Sequence, residues 1–408
     1  MTLHDVIVVG GGPAGLAAAV ELKRLGIRDV VVLERDQSAG GTPRHCAHRG
    51  FGWKEFRRAL TGPGYARRLV NAAAGIEIRT GTTALALEHE GRVRVLTPHG
   101  LETIAGRRVV LALGMRETPR AARLVSGTQP WGVFTAGELQ RLVHLARLKP
   151  CTRAVIVGSG LVSFLCLPTL RRAGIKPVAL LEPGETVLAP RPGRWIARLL
   201  FGARVRTQTR VVAVHGTSRV TGVEIERNGR HELLACDGIV FSGEFVPESG
   251  LVQASHLEID RATGGPRVDQ YGRCSDPTYF AAGNLLRAAE PAWTAWREGR
   301  SVAHVVAASV HGALPEAQRF VTLEARAPLR YICPQRFALP APLPAALPFH
   351  ARADGALRGR LRVMRHKHEL WGQDQRVAPE RRICVPLEAG SLDSADHLVV
   401  ECVERIRS

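Results

Sequence analysis

Two sets of residues carry the spacing of a site. Gly10, Gly12 and Gly15 are followed by Glu34; Gly158 and Gly160, with Ser163 in the third place, are followed by Glu182. Glycines at that spacing let a turn bring backbone amides against a phosphate, and a carboxylate farther on can accept the hydroxyls of a ribose. Glu182 stands as far beyond Gly158 as Glu34 does beyond Gly10. Both sets therefore point to the same chemistry: holding a dinucleotide, pyrophosphate at the turn and ribose at the acid.

Such a turn works only between a buried strand and a helix. In "HDVIVVGGGPAGLAAAVELKRLGIRDVVVLER", Val6–Val9 is a continuous apolar run suited to a strand covered on both faces. Gly10 permits the tight turn, Gly12 admits the pyrophosphate and Gly15 lets the helix pack on the strand. The helix is expected from Pro13 to about Leu25, its first amides, from Ala14 on, aimed at the phosphates. Val30–Leu33 is the second strand, closed by Glu34 and Arg35. "AVIVGSGLVSFLC" repeats this layout, with strands at Ala154–Val157 and Pro177–Leu181 and a helix over Leu161–Ala173. Two copies of one nucleotide-binding unit imply two dinucleotide-binding domains.

Composition agrees and narrows the class. A chain of 408 residues with 45% apolar content predicts two or three domains on a prior of about 150 residues each. No run of about 18 apolar residues suggests a membrane span, and "MTLHDVIVVG" has no basic region followed by a cleavage site. The net charge is +19, yet only five residues are lysine, and the arginines are spread along the chain. A nucleic-acid binder would concentrate that charge in one stripe, so no nucleic-acid partner is expected. The eight cysteines include no C-x-x-C, which argues against a zinc site, any other metal centre of cysteine spacing and a dithiol redox pair. A reduced, cytoplasmic setting is expected.

"TYFAAGNLLRAAEPAWTAWREGRSVAHVVAASV" places a short strand before Gly283-Asn284 and a helix from about Pro291. It resembles the C-terminal flavin motif of the two-dinucleotide-binding-domain flavoproteins, the glutathione-reductase and thioredoxin-reductase families. Asn284 stands where those families carry Asp, keeping an acceptor and losing the charge. "VVLALGMRE" (Val109–Glu117, with Gly114) matches the stretch where the chain leaves their first domain. The resemblance spans about residues 4–312 and implies FAD in the first copy, held by Gly10, Gly12, Pro13, Ala14, Gly15, Glu34, Arg35, Gly41, Thr42, Gly114, Gly283 and Asn284. "GGTPRHCAHRGFGWKEFRRALTGPGYARRL" is similar to a subgroup, the flavin-bearing subunits of opine oxidase, hydrogen cyanide synthase and dye-linked L-proline dehydrogenase. In that group a companion flavoprotein carries the substrate chemistry, and many chains bear a cysteine cluster for a 2Fe–2S centre. Cys333, Cys384 and Cys402 are too far apart for it, so a cluster would belong to a small partner subunit or be absent.

The resemblance puts Gly40 and Gly41 beside the isoalloxazine and Thr42–Cys46 nearest to it. Arg44 could stabilise charge on the flavin or an anionic substrate, His45 could exchange protons, and Cys46 could be a redox thiol or inert packing. His48, Trp53 and Phe56 are read as core or loop packing. In the second copy Ser163, Phe164 and Leu165 replace the helix start that carries a glutamate in active NAD(P)H domains, and Pro168 interrupts the helix. NAD(H), a structural adenine nucleotide and no ligand remain open there, with Gly158, Gly160, Ser163 and Glu182 as the site.

The fold expected is α/β: two Rossmann-like, glutathione-reductase-like domains plus a small C-terminal β-rich module. The FAD domain takes 1–118 and 244–316, with return through "GEFVPESGL"; the second domain takes 119–243 and the module 317–408. "ALPAPLPAALPFH" reads as a stiff connector, while "LRGRLRVMRHKHELW" and "HLVVECVERI" alternate as strands do. With no catalytic constellation, the module is expected to dock a partner. The leading expectation is an FAD-binding subunit of a multi-subunit dehydrogenase or oxidase acting on an amine, amino acid, opine or polyol phosphate. The alternatives are a stand-alone NADH-dependent flavin reductase of a small acceptor and a non-enzymatic flavin-bound scaffold.

Overall fold

Val6, Ile7 and Val8 are wholly buried, so both faces of the first strand, Leu3–Val9, are covered, and its two edges pair in parallel with Val30–Leu33 and Gly100–Leu111. The computed structural model describes residues 2–189, 193–377, 381–387, 392 and 396–404. The chain forms two compact units: Met1–Gly41 with Ala66–Met115 and Val246–Ser408, and Thr42–Tyr65 with Arg116–Phe245.

In the first unit the parallel strands run in the order Glu77–Arg79, Val30–Leu33, Leu3–Val9, Gly100–Leu111. Two antiparallel strands, Arg92–Thr97 and Thr83–Leu87, extend the sheet, and Tyr279–Ala281 joins Gly100–Leu111 in parallel. The chain order runs outward from Leu3–Val9 through Val30–Leu33 to Glu77–Arg79, then resumes on the other side of Leu3–Val9 at Gly100–Leu111. Dinucleotides bind at such a switch point, outside the carboxyl ends of the strands. The helix Pro13–Arg24 begins there, and the helix Ala292–Val310 packs on it so closely that a Cβ at Gly299 would lie 2.1 Å from the Ala14 carbonyl oxygen.

In the second unit five parallel strands run Val133–Thr135, Gly238–Phe241, Arg153–Val157, Lys176–Leu181, Arg204–Arg206. The helix Leu161–Arg172 follows the central strand and continues through Pro168. A four-stranded sheet of Ser126–Gly127, Thr209–Gly216, Val220–Arg227 and Arg230–Ala235 completes the unit.

The C-terminal residues form two further sheets around a hydrophobic cluster of their own, which includes Val321, Leu361, Val363, Leu398 and Val400. The last strand is described over His397–Glu404, and residues 405 and 406 of the predicted stretch lie outside the described residues. The proline-rich segment is no free spacer. Ala346 and Leu347 join the core of the first unit, their amides donate to the Gln270 carbonyl at 2.9 and 3.0 Å, and the Tyr271 hydroxyl donates to the Leu343 carbonyl. Alternating proline and apolar residues stiffen the segment while giving it an apolar face to bury, so these strands share a compact unit with the first nucleotide copy.

Candidate functional site

The first copy is built by close approach. Gly10 has φ +112°, and a Cβ there would stand 2.4 Å from the Ala112 carbonyl oxygen; at Gly15 it would stand 1.8 Å from that of Gly10. These two glycines are demanded by the protein's own packing. Gly12 is different: a Cβ there would meet nothing nearer than the Gly41 Cα at 3.8 Å. The space over Gly12, at the start of a helix with no side-chain cap, is available to a ligand, and the first-turn amides suit an anion. Glu34 is buried and accepts the amides of Gly11 at 3.1 Å and Asp36 at 2.8 Å, one on each oxygen. Burial is the largest influence on its carboxyl and pushes it above the ordinary value. Each oxygen keeps a lone pair for a ribose hydroxyl.

The second copy keeps the plan. Gly158 has φ +113°, a Cβ at Gly160 would meet nothing within 4 Å, and Glu182 accepts the Gly184 amide at 2.8 Å. Two positions differ. Where Gly11 lends Glu34 an amide, Ser159 gives Glu182 its hydroxyl, and the Leu188 amide donates to that same hydroxyl oxygen at 3.0 Å. Where Gly15 touches the turn directly, Ser163 fits with its hydroxyl donating to that of Ser242 at 3.1 Å, while its amide bonds the Gly160 carbonyl.

Gly283 has φ +76°, and a Cβ there would lie 2.9 Å from the Ala14 Cβ, so this motif sits directly on the first-copy helix. The Asn284 side chain closes the following loop: Oδ1 accepts the Glu290 amide at 2.7 Å and Nδ2 donates to the Glu290 carbonyl at 3.1 Å. Between them Ala289 is held at φ +68°, a left-handed conformation costly for a residue with a Cβ. The C-terminal strands hold that loop in place. Arg352 donates to the Ala288 carbonyl and to Glu290, both at 3.1 Å, and Arg382 reaches Glu290 at 2.7 Å and Glu298 at 3.0 Å. Arg287 pairs with Glu298. Arg382 also donates to the His350 ring at 3.1 Å. Burial, then the surrounding arginines, push that imidazole down to about 3, so it is neutral.

In the second unit, Thr42–His45 form a short helical turn. His45 is buried, and the Cys46 thiol donates to Gln140 Oε1 at 3.5 Å. Burial, and next the Glu117 carboxylate, push that thiol up to about 12, so it is protonated at neutral pH and a poor nucleophile. Glu117 is itself buried, accepting the amides of Gly137 at 2.7 Å and Gly243 at 3.2 Å, and burial raises its carboxyl. His48 packs on Phe51 and Phe56 on Tyr65, whereas Trp53, expected to pack, is 64% exposed at the start of a four-residue helix. Glu117, Glu290, Arg352 and Arg382 escaped the sequence reading because their partners lie far away in the chain.

Residues 4–308 match the family model described as pyridine nucleotide-disulphide oxidoreductase. The chain belongs to that family. An opine oxidase subunit from Rhizobium meliloti is 25% identical over 313 residues, covering 69% of this chain and 58% of the relative. Hydrogen cyanide synthase subunit HcnB of Pseudomonas protegens is 27% identical over 190 residues, 45% of this chain and 39% of the relative. The chain therefore spans about four- to six-tenths of these relatives. Among solved structures, the T. acidophilum thioredoxin reductase superposes with a TM-score of 0.64 at 20% identity, over 76% of this chain and 99% of that one.

As a member of the pyridine nucleotide-disulphide oxidoreductases, the protein is a flavin-dependent oxidoreductase. The family implies FAD and a pyridine nucleotide, and the residues of the first copy fit FAD: the space over Gly12 is open, the buried Glu34 carboxylate keeps acceptor capacity, and the Gly283 motif packs on the first-copy helix. All eight cysteines are free thiols, and Cys46, the one in the stretch that follows the first copy, is held protonated. Among the described residues no helix is long and apolar enough to cross a membrane.

Proposed function

We propose that the chain is the FAD-binding subunit of a multi-subunit dehydrogenase or oxidase. It would pass on electrons taken from an amine, amino acid, opine or polyol phosphate oxidised in the complex. The observation that carries this is the unequal pair of nucleotide copies. The first has every close approach that FAD needs. The second keeps a nucleotide turn and acid but puts Phe164 and Leu165 near the helix start, where active NAD(P)H domains carry a glutamate, and the chain has no C-x-x-C. That is the pattern of a flavin supplied with electrons by something other than its own NADH domain. Two relatives named as enzyme subunits support it.

Bound FAD would supply acceptance of an electron pair and its release to the next carrier. The chain's own part is to hold it: Gly12 leaves room for the pyrophosphate, the Ala14–Gly15 turn presents amides, Glu34 takes the ribose, and the Gly283–Glu290 loop frames the flavin end. Arg44 and His45 are the proposed charge-stabilising and proton-exchanging groups, with Cys46 as a neutral neighbour. A companion flavoprotein, and a small 2Fe–2S protein where one exists, are the proposed partners. The second copy is proposed to hold an adenine nucleotide structurally or to stay empty.

Copurification from the native host, with flavin counted per chain, tests the proposal. A stable complex whose added substrate reduces this chain's FAD is expected. A solitary chain whose flavin bleaches rapidly with NADH would instead identify a self-contained reductase, the reading that the intact Gly158, Gly160 and Glu182 favour.

A further inference from the structure

Three side chains from distant parts of the first unit meet at its surface. His89 opens the turn His89–Gly91, His256 follows the helix Gly250–Gln253, and Asp276 precedes the strand Tyr279–Ala281. One ligand atom from each lies within 4.8 Å of the others. His256 Nε2 is 2.9 Å from Asp276 Oδ2, and His89 Nδ1 is 4.0 Å from that same oxygen. The two imidazole rings lie close together and tilted, centroids 4.0 Å apart and planes at 33°. A hydrogen bond between His256 and Asp276 accounts for one of these contacts. It does not account for a second imidazole held beside the first with a ring nitrogen near the same carboxylate.

Each member is held from outside the trio. The Thr278 amide donates to the other Asp276 oxygen at 2.8 Å, which orients the carboxylate. The edge-on Tyr279 ring, 5.6 Å away, supports His256. The Tyr279 hydroxyl donates to the Glu88 carbonyl and lies 3.2 Å from the Arg92 carbonyl, so it pins the turn that carries His89. Supports of this kind orient metal ligands and raise affinity about 10–100-fold.

We propose that His89, His256 and Asp276 form a binding site for a divalent transition metal of the zinc class. Two imidazole nitrogens and one carboxylate oxygen suit Zn²⁺, Ni²⁺ or Cu²⁺ and are a poor set for Mg²⁺ or Ca²⁺, which prefer all-oxygen shells. Ligands about 2.0–2.2 Å from a tetrahedral zinc ion stand about 3.3–3.6 Å from one another, between the two separations observed. Closure requires the His256–Asp276 pair to open by a few tenths of an ångström and the ring of His89, the most exposed member at 73%, to swing off the His256 ring while its nitrogen moves inward. Three protein ligands leave the remaining positions to water. The ion would clip three segments together just ahead of Gly283-Asn284, and it would do so independently of any nucleotide.

The test uses the full-length holo-protein, freed of metal with a chelator and dialysed against buffered Zn²⁺. Bound zinc is counted and the thermal midpoint recorded, with His89→Ala and Asp276→Asn alongside and Mg²⁺ as the control ion. Expected are one more zinc per chain in the wild type than in either variant and a Zn²⁺-dependent rise in midpoint that Mg²⁺ does not give. Affinity should fall at least about tenfold in each variant. His89→Ala changes an exposed side chain, so loss of folding will not obscure the result. Co²⁺ separates this site from the eight thiols, because an N/O site gives weak visible bands without the intense near-ultraviolet thiolate absorption. Equal zinc binding in the wild type and both variants, or a cobalt spectrum dominated by thiolate, would overturn the proposal.

Discussion

The two nucleotide-binding copies begin from one plan and end with different demands on their side chains. In the first, the turn, the acid and the helix approach so closely that Gly10 and Gly15 admit no Cβ, while Gly12 is left clear for something other than protein. In the second, Ser159 and Ser163 fill the corresponding approaches with hydroxyls that bond Glu182 and Ser242. A site that binds a large ligand preserves the space the ligand needs. The second copy also keeps open space, over Gly160, so its serines mark a different way of holding the turn and the acid from inside the protein. The comparison separates glycines kept for the fold from glycines kept for a ligand, and mutation can divide them.

Gly12→Val should fold normally and purify colourless, with FAD affinity down more than about a hundredfold, since only the ligand's space is filled. Gly15→Val should fail to fold, because its Cβ would meet backbone that has nowhere to go. Gly160→Val should fold and keep its full yellow colour. Visible absorbance per chain and circular dichroism read all three. A colourless Gly160→Val protein would break the comparison by making the second copy necessary for FAD.

The second expectation concerns rate. With no glutamate at the second helix start, NADH should reduce the flavin of the isolated chain more slowly than about 0.01 s⁻¹, far below the ~1–10³ s⁻¹ turnover of ordinary enzymes. Stopped-flow mixing with NADH and NADPH measures it. Flavin bleaching within a second would show that the second copy still delivers hydride.

The third concerns the buried acid that joins the flavin-end loop to the C-terminal strands. Glu290→Gln leaves Arg287, Arg352 and Arg382 around a neutral amide. Breaking a buried pair typically costs about 3–5 kcal/mol, and FAD affinity should fall with it because Asn284 is bonded to the Glu290 backbone. Arg352→Met should cost about 1–3 kcal/mol, since Glu290 keeps Arg382. Unfolding by denaturant and FAD titration of the stripped protein check both. If stability falls while FAD affinity holds, these strands brace the fold without setting the flavin loop.

What was legible in the sequence was local. Val6–Val9, Pro13 at the helix start and Val30–Leu33 follow from an apolar run, a glycine turn and a second run, and the structure places them at Leu3–Val9, Pro13–Arg24 and Val30–Leu33. The α/β class followed from the repeat. What stayed hidden depends on tertiary meeting. No spacing links Arg352 to Ala288, or His89 to Asp276. The proline-rich stretch advertised stiffness, yet Leu347 within it is buried in the main core. The packing of Thr42–Tyr65 with residues 116–245 was equally silent, because Cys46 and Gln140 are ordinary residues far apart in the chain.

The smallest expected effect separates the two helices. Glu21 in the first is buried and bonds Arg24 at 2.9 Å and Arg300 of the helix Ala292–Val310 at 2.8 Å. At the matching place in the second, Thr169 meets His144 Nε2 at 3.1 Å. Burial, the largest influence on Glu21, raises its carboxyl, but the two arginines together outweigh it and hold the group at about 2 instead of 4.5. The folded state thus takes up this proton less readily than the unfolded chain. The stabilisation is complete above the ordinary carboxylate range and is lost as pH falls through about 2. Both arginines are substantially exposed, so solvent screening limits the gain to about 1–2 kcal/mol at neutral pH. Glu21→Gln should lower stability by that amount at pH 7 and match the wild type near pH 2, whereas Thr169→Val in the second helix should show no such convergence. Denaturant midpoints followed by circular dichroism from pH 7 down to about 2, where the wild-type advantage should shrink below about pH 4.5 and be nearly gone at the acid end, provide the measurement. A Glu21→Gln deficit that persists undiminished into acid would mean that the glutamate acts by packing and not by charge.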